Sequence, residues 1–292
     1  MTETRTVILD TDIGTDVDDL LALALILGDP GIDLHSVTTV YGDTVLRARL
    51  AARILGVAGA DVPVHAGRAH PLSGKEVWWA GHEGALHEGL ENETIASDDA
   101  VAHLVSAVLA APGRIDLIAI GPLTNVAAAI QHEPRFAGAV RHLWIMGGSF
   151  GAHEPEHNFR SDTAAAGIVF ASGIPTTVTG LEITRLINIG SDGVAAIAGS
   201  GPLGRLIEAE IRQWWAFWGT EWNVPHDPVT VLTMTAPELF RFSAPGTLSV
   251  NAIDGASAFH EGGGAVRVAI GADAAAVAGR IISGIASIQA RT

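Results

Sequence analysis

Cysteine is absent from this 292-residue chain. That excludes a disulfide scaffold, a thiolate zinc site, an iron–sulfur cluster and a cysteine nucleophile. Basic charge is scarce: 17 Lys and Arg face 32 Asp and Glu, a net charge of −15 with histidine neutral. Nucleic acid is therefore not expected as a partner, because phosphate backbones require a basic surface. A small neutral or cationic ligand, or a divalent metal, suits the balance. Long apolar runs are also missing. Leu20–Leu27, the longest near the start, falls far short of the roughly 20 residues of a spanning helix, so no membrane partner is expected. Met1-Thr2-Glu3-Thr4-Arg5 lacks a basic region followed by an apolar core, which predicts a cytoplasmic chain without a signal peptide. No internal repeat, low-complexity linker or charge block interrupts the sequence. What remains is 48% hydrophobic and 17% charged, a globular mix that predicts one domain over residues 1–292.

Short apolar runs alternate with helical patterns. Strands are read at Thr6–Leu9, Leu34–Val40, Ile115–Ile120, His142–Met146 and Pro175–Thr179. Helices are read at Asp18–Leu27, Thr44–Leu55, Asp98–Ala110, Thr124–Ile130 and Thr163–Ala171. Arg47, Arg49 and Arg53 are placed on the polar side of the second helix, and Ser97 as the N-cap of the third. This alternation predicts an α/β fold, Rossmann-like, with a mainly parallel central sheet and helices on both faces. From Ser191 the pattern turns mostly helical, giving a helical C-terminal portion with β-like pieces near Thr247–Val250 and Val266–Ile270.

Ligands of open parallel sheets bind outside the carboxyl ends of the strands. After the first strand stand Asp10, Asp12, Asp16, Asp18 and Asp19. Carboxylates this close raise one another's pKa unless a cation neutralises them. Hard oxygen donors without cysteine point to Ca²⁺ or Mg²⁺. A helix N-terminus favoured by the dipole accounts for Asp18 and Asp19, but not for Asp10 and Asp12 at the strand end. Three later segments also look chemical: Gly121-Pro122-Leu123-Thr124-Asn125, Glu156-His157-Asn158 and His226-Asp227-Pro228. Taken singly, the first reads equally as a strand-to-helix turn and the last as a helix cap.

Taken in order, Asp10-Thr11-Asp12-Ile13-Gly14, Gly121–Asn125, Met146-Gly147-Gly148, Glu156-His157-Asn158 and His226-Asp227-Pro228 resemble the motifs of the inosine–uridine-type nucleoside hydrolases. The resemblance runs from Val7 to about Leu232. It implies a bound Ca²⁺, hydrolysis of the N-glycosidic bond of a small nucleoside substrate, and a homodimer or homotetramer. By that resemblance Asp12 would be a metal ligand and the general base, and Asp19, Asp227 and the Thr124 carbonyl would complete the metal shell. Asp18, Glu156 and Asn158 would bind ribose, His226 would be a general acid, and Asp10 would support the site. Three departures stand out. Ile13 replaces the family's usual proline, and two extra residues precede Asp18-Asp19, which makes Asp16 a rival ligand. Gly42-Asp43 replaces Gly-Asn, placing a charge at a ribose contact. The loop from Gly148 to Glu156 is short and lacks one of the family's asparagines.

The residue types suit the reaction. Cleavage of an N-ribosidic bond builds positive charge on the sugar, which Glu156, Asp18 and Asp43 can stabilise. The leaving base needs a proton or a stacking surface. His82 and His226 are the candidate donors, and Trp78, Trp79, Trp218 and Trp222 the candidate walls. Trp214 and Trp218 share a helix face. His153 and His157 read as polar loop residues, and His65 and His103 as structural. Two other classes fit the sequence less well. A ribose-binding protein has no need of a water-activating metal held by Asp12 and Asp227. A phosphohydrolase needs a basic cluster, and here Lys75 is the only lysine and the arginines are scattered.

Overall fold

The computed structural model describes residues 4–152 and 154–288. The strands are β1 (Arg5–Thr11), β2 (Ile32–Thr39), β3 (Val64–Ala66), β4 (Ile115–Ala119), β5 (His142–Met146), β6 (Thr176–Thr179), β7 (Ile189–Gly190), β8 (Trp222–Asn223), β9 (Phe240–Phe242), β10 (Gly246–Val250), β11 (Ser257–Glu261) and β12 (Val266–Ala272). The helices are α1 (Asp18–Gly28), α2 (Thr44–Val57), α3 (Ala100–Ala110), α4 (Thr124–His132), α5 (Arg135–Ala139), α6 (His157–Ser161), α7 (Thr163–Ala171), α8 (Leu181–Thr184), α9 (Ser191–Ala198), α10 (Pro202–Trp218), α11 (His226–Thr235) and α12 (Ala274–Ala286).

Ten strands form one sheet in the order β11-β10-β12-β6-β5-β4-β1-β2-β3, with β9 paired to β12. Pairing from β3 across to β12 is parallel, whereas β10, β11 and β9 join antiparallel. The chain order reverses between β1 and β4, which opens a crevice at their carboxyl ends. Alternation along each strand feeds two cores. Val7 and Leu9 point to the face covered by α1, α2 and α9–α12. Ile8, Leu117 and Ile145 point to the face covered by α3, α4, α5 and α7.

Helix α1, DDLLALALILG, is apolar all round after its two aspartates, and such a helix is stable only when enclosed. It is buried from Asp18 through Ile26. Gly28 lets it approach α12, since a Cβ there would lie 2.3 Å from the Gly284 carbonyl oxygen. Burial of α1 fixes both aspartates at the crevice.

Three expectations are corrected. Asp99, not Ser97, caps α3 through the Ala102 amide, because the helix starts two residues later than read. Arg47 is not on a polar face but only 1% exposed, since main-chain carbonyls surround its guanidinium. The C-terminal portion is helical over α9–α12 but also holds β8, β9 and β11. Strand β11, Ser-Ala-Phe-His-Glu, is an edge strand with a half-exposed pattern, so it shows no apolar run.

Candidate active site

The carboxyl ends of β1, β4 and β5, with α8, α10 and α11, enclose a cleft of about 790 Å³. Its floor is acidic. Helix α1 begins at Asp18 and α11 at His226, so two helix N-termini meet there, where the dipoles favour anions. One carboxylate oxygen from each of Asp18, Asp19 and Asp227 lies within 4.8 Å of the others, and all three residues are buried. Burial holds each of these carboxyls well above its ordinary pKa, and the neighbouring aspartates push further the same way. Such a group is stable in ionised form only beside a cation. The donors are all hard oxygens, the chemistry of Ca²⁺ or Mg²⁺, and the residues fit a divalent ion.

Asp12 lines the cleft but is not part of that three-oxygen group. Burial raises its pKa, opposed by the charges of Arg47 and His157. Arg47 holds the loop behind it. Nη1 donates to the carbonyls of Asp12 and Ile13, the latter at 2.8 Å, and Nε donates to Tyr41 O at 2.7 Å. Tyr41 adopts a φ of 69°, a strained conformation for a bulky residue that its surroundings must impose. Asp16 also lines the cleft, outside the group; one of its oxygens accepts from Val17 N at 2.6 Å, and burial raises its pKa to about 8. Asp18, read as a ribose contact, lines the cleft beside Asp19 and Asp227.

Asp10 lies beneath. Its Oδ1 accepts from Thr38 Oγ1 at 2.5 Å and Asn125 Nδ2 at 2.8 Å, its Oδ2 has no partner, and burial raises its pKa to about 7. Thr124 is buried, and its hydroxyl donates to Asp162 Oδ2 at 2.7 Å. Thr124 is not among the cleft-lining residues, and Asp162 is a support that the sequence reading missed. Glu156 caps α6, accepting from the amides of Gly148, Asn158 and Phe159 at 2.7–3.1 Å. Asn158 Nδ2 donates to the carbonyls of Ile120 at 2.7 Å and Met146 at 3.3 Å, bridging the ends of β4 and β5. Both line the cleft.

The lining is also aromatic: Trp78, Trp214, Trp218 and Trp222 belong to it. Trp215 instead enters the core and donates to Asn223 Oδ1 at 3.3 Å. Trp79 turns away from the cleft. The Arg47 guanidinium stands over its ring at 4.8 Å, and a Cβ at Gly42 would lie 2.5 Å from that ring. Asp43 is exposed and caps α2 through Leu46 N at 2.9 Å. It is not among the cleft-lining residues. His82 also lies outside the lining, packed edge-on against Trp214 and Phe217, with Nε2 donating to the Thr15 carbonyl at 2.9 Å. His226 does line the cleft, and its Nδ1 lies 2.8 Å from Thr184 Oγ1. Burial and then the charge of Arg185 lower its pKa to about 4, so it is neutral at pH 7.

Sequence reasoning read His157 as a polar loop residue and did not single out Thr15, Arg185 or Asn188, yet all four are in the lining. For His157 the signal was present, since it stands between Glu156 and Asn158; Trp78 meets its ring edge-on at 5.8 Å. His153 lies outside the described residues. His65 and His103 stack at 3.7 Å away from the cleft.

A model of the family described as inosine-uridine preferring nucleoside hydrolase matches residues 7–279. A probable uridine nucleosidase 2 of Oryza sativa subsp. japonica is 32% identical over 81% of this chain and 75% of its own. The pyrimidine-specific ribonucleoside hydrolase RihB of Escherichia coli O9:H4 (strain HS) is 31% identical over 70% of this chain and 68% of its own. The plant nucleoside hydrolase PpNRh1 superposes with a TM-score of 0.87 at 27% identity, covering 96% of this chain and 98% of its own. A purine-preferring ribonucleoside hydrolase from Gardnerella vaginalis shares the fold with a TM-score of 0.88 at 22% identity, covering 99% and 100%.

Proposed function

This chain belongs to the inosine–uridine preferring nucleoside hydrolases and is a nucleoside N-ribohydrolase, and we propose that it splits ribonucleosides with a divalent cation, Ca²⁺, held by Asp18, Asp19 and Asp227 beside Asp12. The observation that carries this reading is the buried three-carboxylate group in the cleft. The Thr124 carbonyl and an Asp12 carboxylate oxygen belong to the same proposed shell. When bound there, Ca²⁺ supplies charge that fixes water and sugar hydroxyls and makes the water more acidic.

The chain's own residues do the rest. Asp12 takes the proton of the attacking water, a transfer typically worth about 10²–10⁴-fold. Glu156 and Asn158 face the sugar with their own positions already fixed by main-chain partners, so little reorganisation accompanies the reaction. Glu156 also places negative charge beside a sugar that turns cationic. Trp78, Trp218 and Trp222 offer flat apolar faces to the base. A neutral His226 orients the base rather than protonating it at pH 7. The same reading takes the chain as a cytoplasmic homodimer or homotetramer, a state that light scattering after size exclusion tests. Free ribose is the readout for the activity: uridine and inosine are each expected to release it, and a chelator to stop that release. No ribose from either nucleoside, with Ca²⁺ present, would refute the reading.

A further inference from the structure

Five aspartates and Glu156 line the cleft together with four tryptophans and His226. Two arginines also line it, in a chain with only 17 basic residues. Arg160 follows Glu156 and Asn158 in the chain. Arg185 caps the end of α8 and lines the cleft, as do Ile187, Asn188 and Trp222. The hydrogen bond between Thr184 and His226 at 2.8 Å ties the end of α8 to the start of α11. That tie sets where the next residue, Arg185, enters the cleft. Glu154 Oε1, from the loop after β5, accepts from Arg185 Nη1. The guanidinium is thus held in the cleft lining, close enough to His226 to act on its charge, with 55% of the side chain exposed.

We infer that Arg185 contacts the leaving base and stabilises the negative charge it acquires as the glycosidic bond breaks. The inference rests on the nucleoside hydrolase reading and adds a residue to it. In the reaction, the water oxygen bonds to C1′ and its proton passes to Asp12. The C1′–N electron pair stays on the base nitrogen, and the departing base takes its proton from solvent. Charge therefore develops on the base before any proton arrives. A guanidinium is charged at every working pH and forks toward carbonyl oxygens and ring nitrogens alike. A fixed cation aimed at developing charge lowers the barrier without any change in its own state. Its ion pair with Glu154 is exposed and weak, so it yields readily to a base carrying negative charge.

The test compares two leaving groups. Uracil departs as a poor anion, whereas p-nitrophenolate is stable unaided. Arg185→Gln is expected to lower kcat/KM for uridine by about 10–100-fold, less than a fully enclosed donor because the site is wet. For p-nitrophenyl riboside the loss is expected to stay within about 3-fold, since no base charge needs support. Arg185→Lys keeps the charge and is expected to keep most of the uridine activity. Glu154→Gln removes the competing carboxylate and is expected to leave uridine hydrolysis at or above wild type. Equal loss on both substrates in Arg185→Gln would overturn the inference. So would a Glu154→Gln enzyme as impaired on uridine as Arg185→Gln, which would make the pair a structural tie only. A wild-type enzyme inactive on both substrates would instead refute the underlying functional reading.

Discussion

Arg47, inside α2, donates to the main-chain carbonyl of Asp12, thirty-five residues earlier in the chain. The same guanidinium reaches Ile13 O, Tyr41 O and Thr15 Oγ1. One buried cation thus fastens the loop that carries the acidic floor to the strained turn after β2. Arg47→Met preserves volume but leaves three main-chain carbonyls without their donor, each costing about 1–3 kcal/mol. A loss of at least about 3 kcal/mol in urea unfolding is expected. An unchanged denaturation midpoint would show that the clasp contributes nothing.

Asp12→Asn keeps the shape of the side chain and removes a base and a negative charge. Uridine hydrolysis is expected to fall by at least about 10³-fold, base catalysis and weakened metal binding combined. Metal content, measured on the same preparation, separates the two contributions. Near-normal turnover with metal retained would remove Asp12 from the proton transfer.

The three-carboxylate group predicts a coupling between metal and stability. Without a cation, Asp18, Asp19 and Asp227 repel one another in a buried site. If Ca²⁺ binds this group in the folded chain alone, adding it is expected to raise Tm, by an amount equivalent to about 2.7 kcal/mol at a hundredfold excess over Kd. Asp227→Asn relieves the repulsion, so its metal-free form is expected to melt no lower than metal-free wild type, while gaining nothing from Ca²⁺. A wild-type Tm indifferent to both Ca²⁺ and chelator would contradict the metal site.

Much of this was legible in the sequence because the signals were local. An apolar run ending in aspartates marks β1, and the leucine-rich stretch after Asp19 marks α1. The partnership of Asp19 with Asp227 needed the ordered motifs, since only the fold brings α1 and α11 together. Arg47 was misplaced because nothing in its own helix tells which carbonyls will converge on it. Trp78 and Trp79 are adjacent and read alike, yet one lines the cleft and the other stacks on Arg47. Local sequence does not say which of two neighbouring side chains faces the ligand. Asp43 followed a position in the family pattern, but in this chain its side chain meets the open amides of α2 first.

The last prediction concerns pH and lies away from the metal site. His142 opens β5, with Nε2 lying 2.8 Å from Thr177 Oγ1. Burial is the main cause lowering its pKa to about 4, followed by the charge of Arg267; Asp116 acts in the opposite direction, and Arg5 and Arg141 add smaller lowering effects. In the unfolded chain the ring binds a proton near its ordinary value of 6.5. The folded state therefore binds fewer protons than the unfolded state between those two values. Stability that is fully present above pH 6.5 is lost as the pH falls toward 4, with a slope of at most about 1.4 kcal/mol per pH unit for one such group. His103, lowered to about 4 by burial and by His65 and His35, acts in the same window and in the same direction. His142→Gln retains a hydrogen-bonding side chain and cannot titrate. The variant is expected to show a shallower fall of unfolding free energy between pH 6.5 and 4 than wild type, with the part due to His103 remaining. Parallel curves for the two proteins would show that His142 takes up its proton equally in both states, and would return the acid sensitivity to the remaining groups.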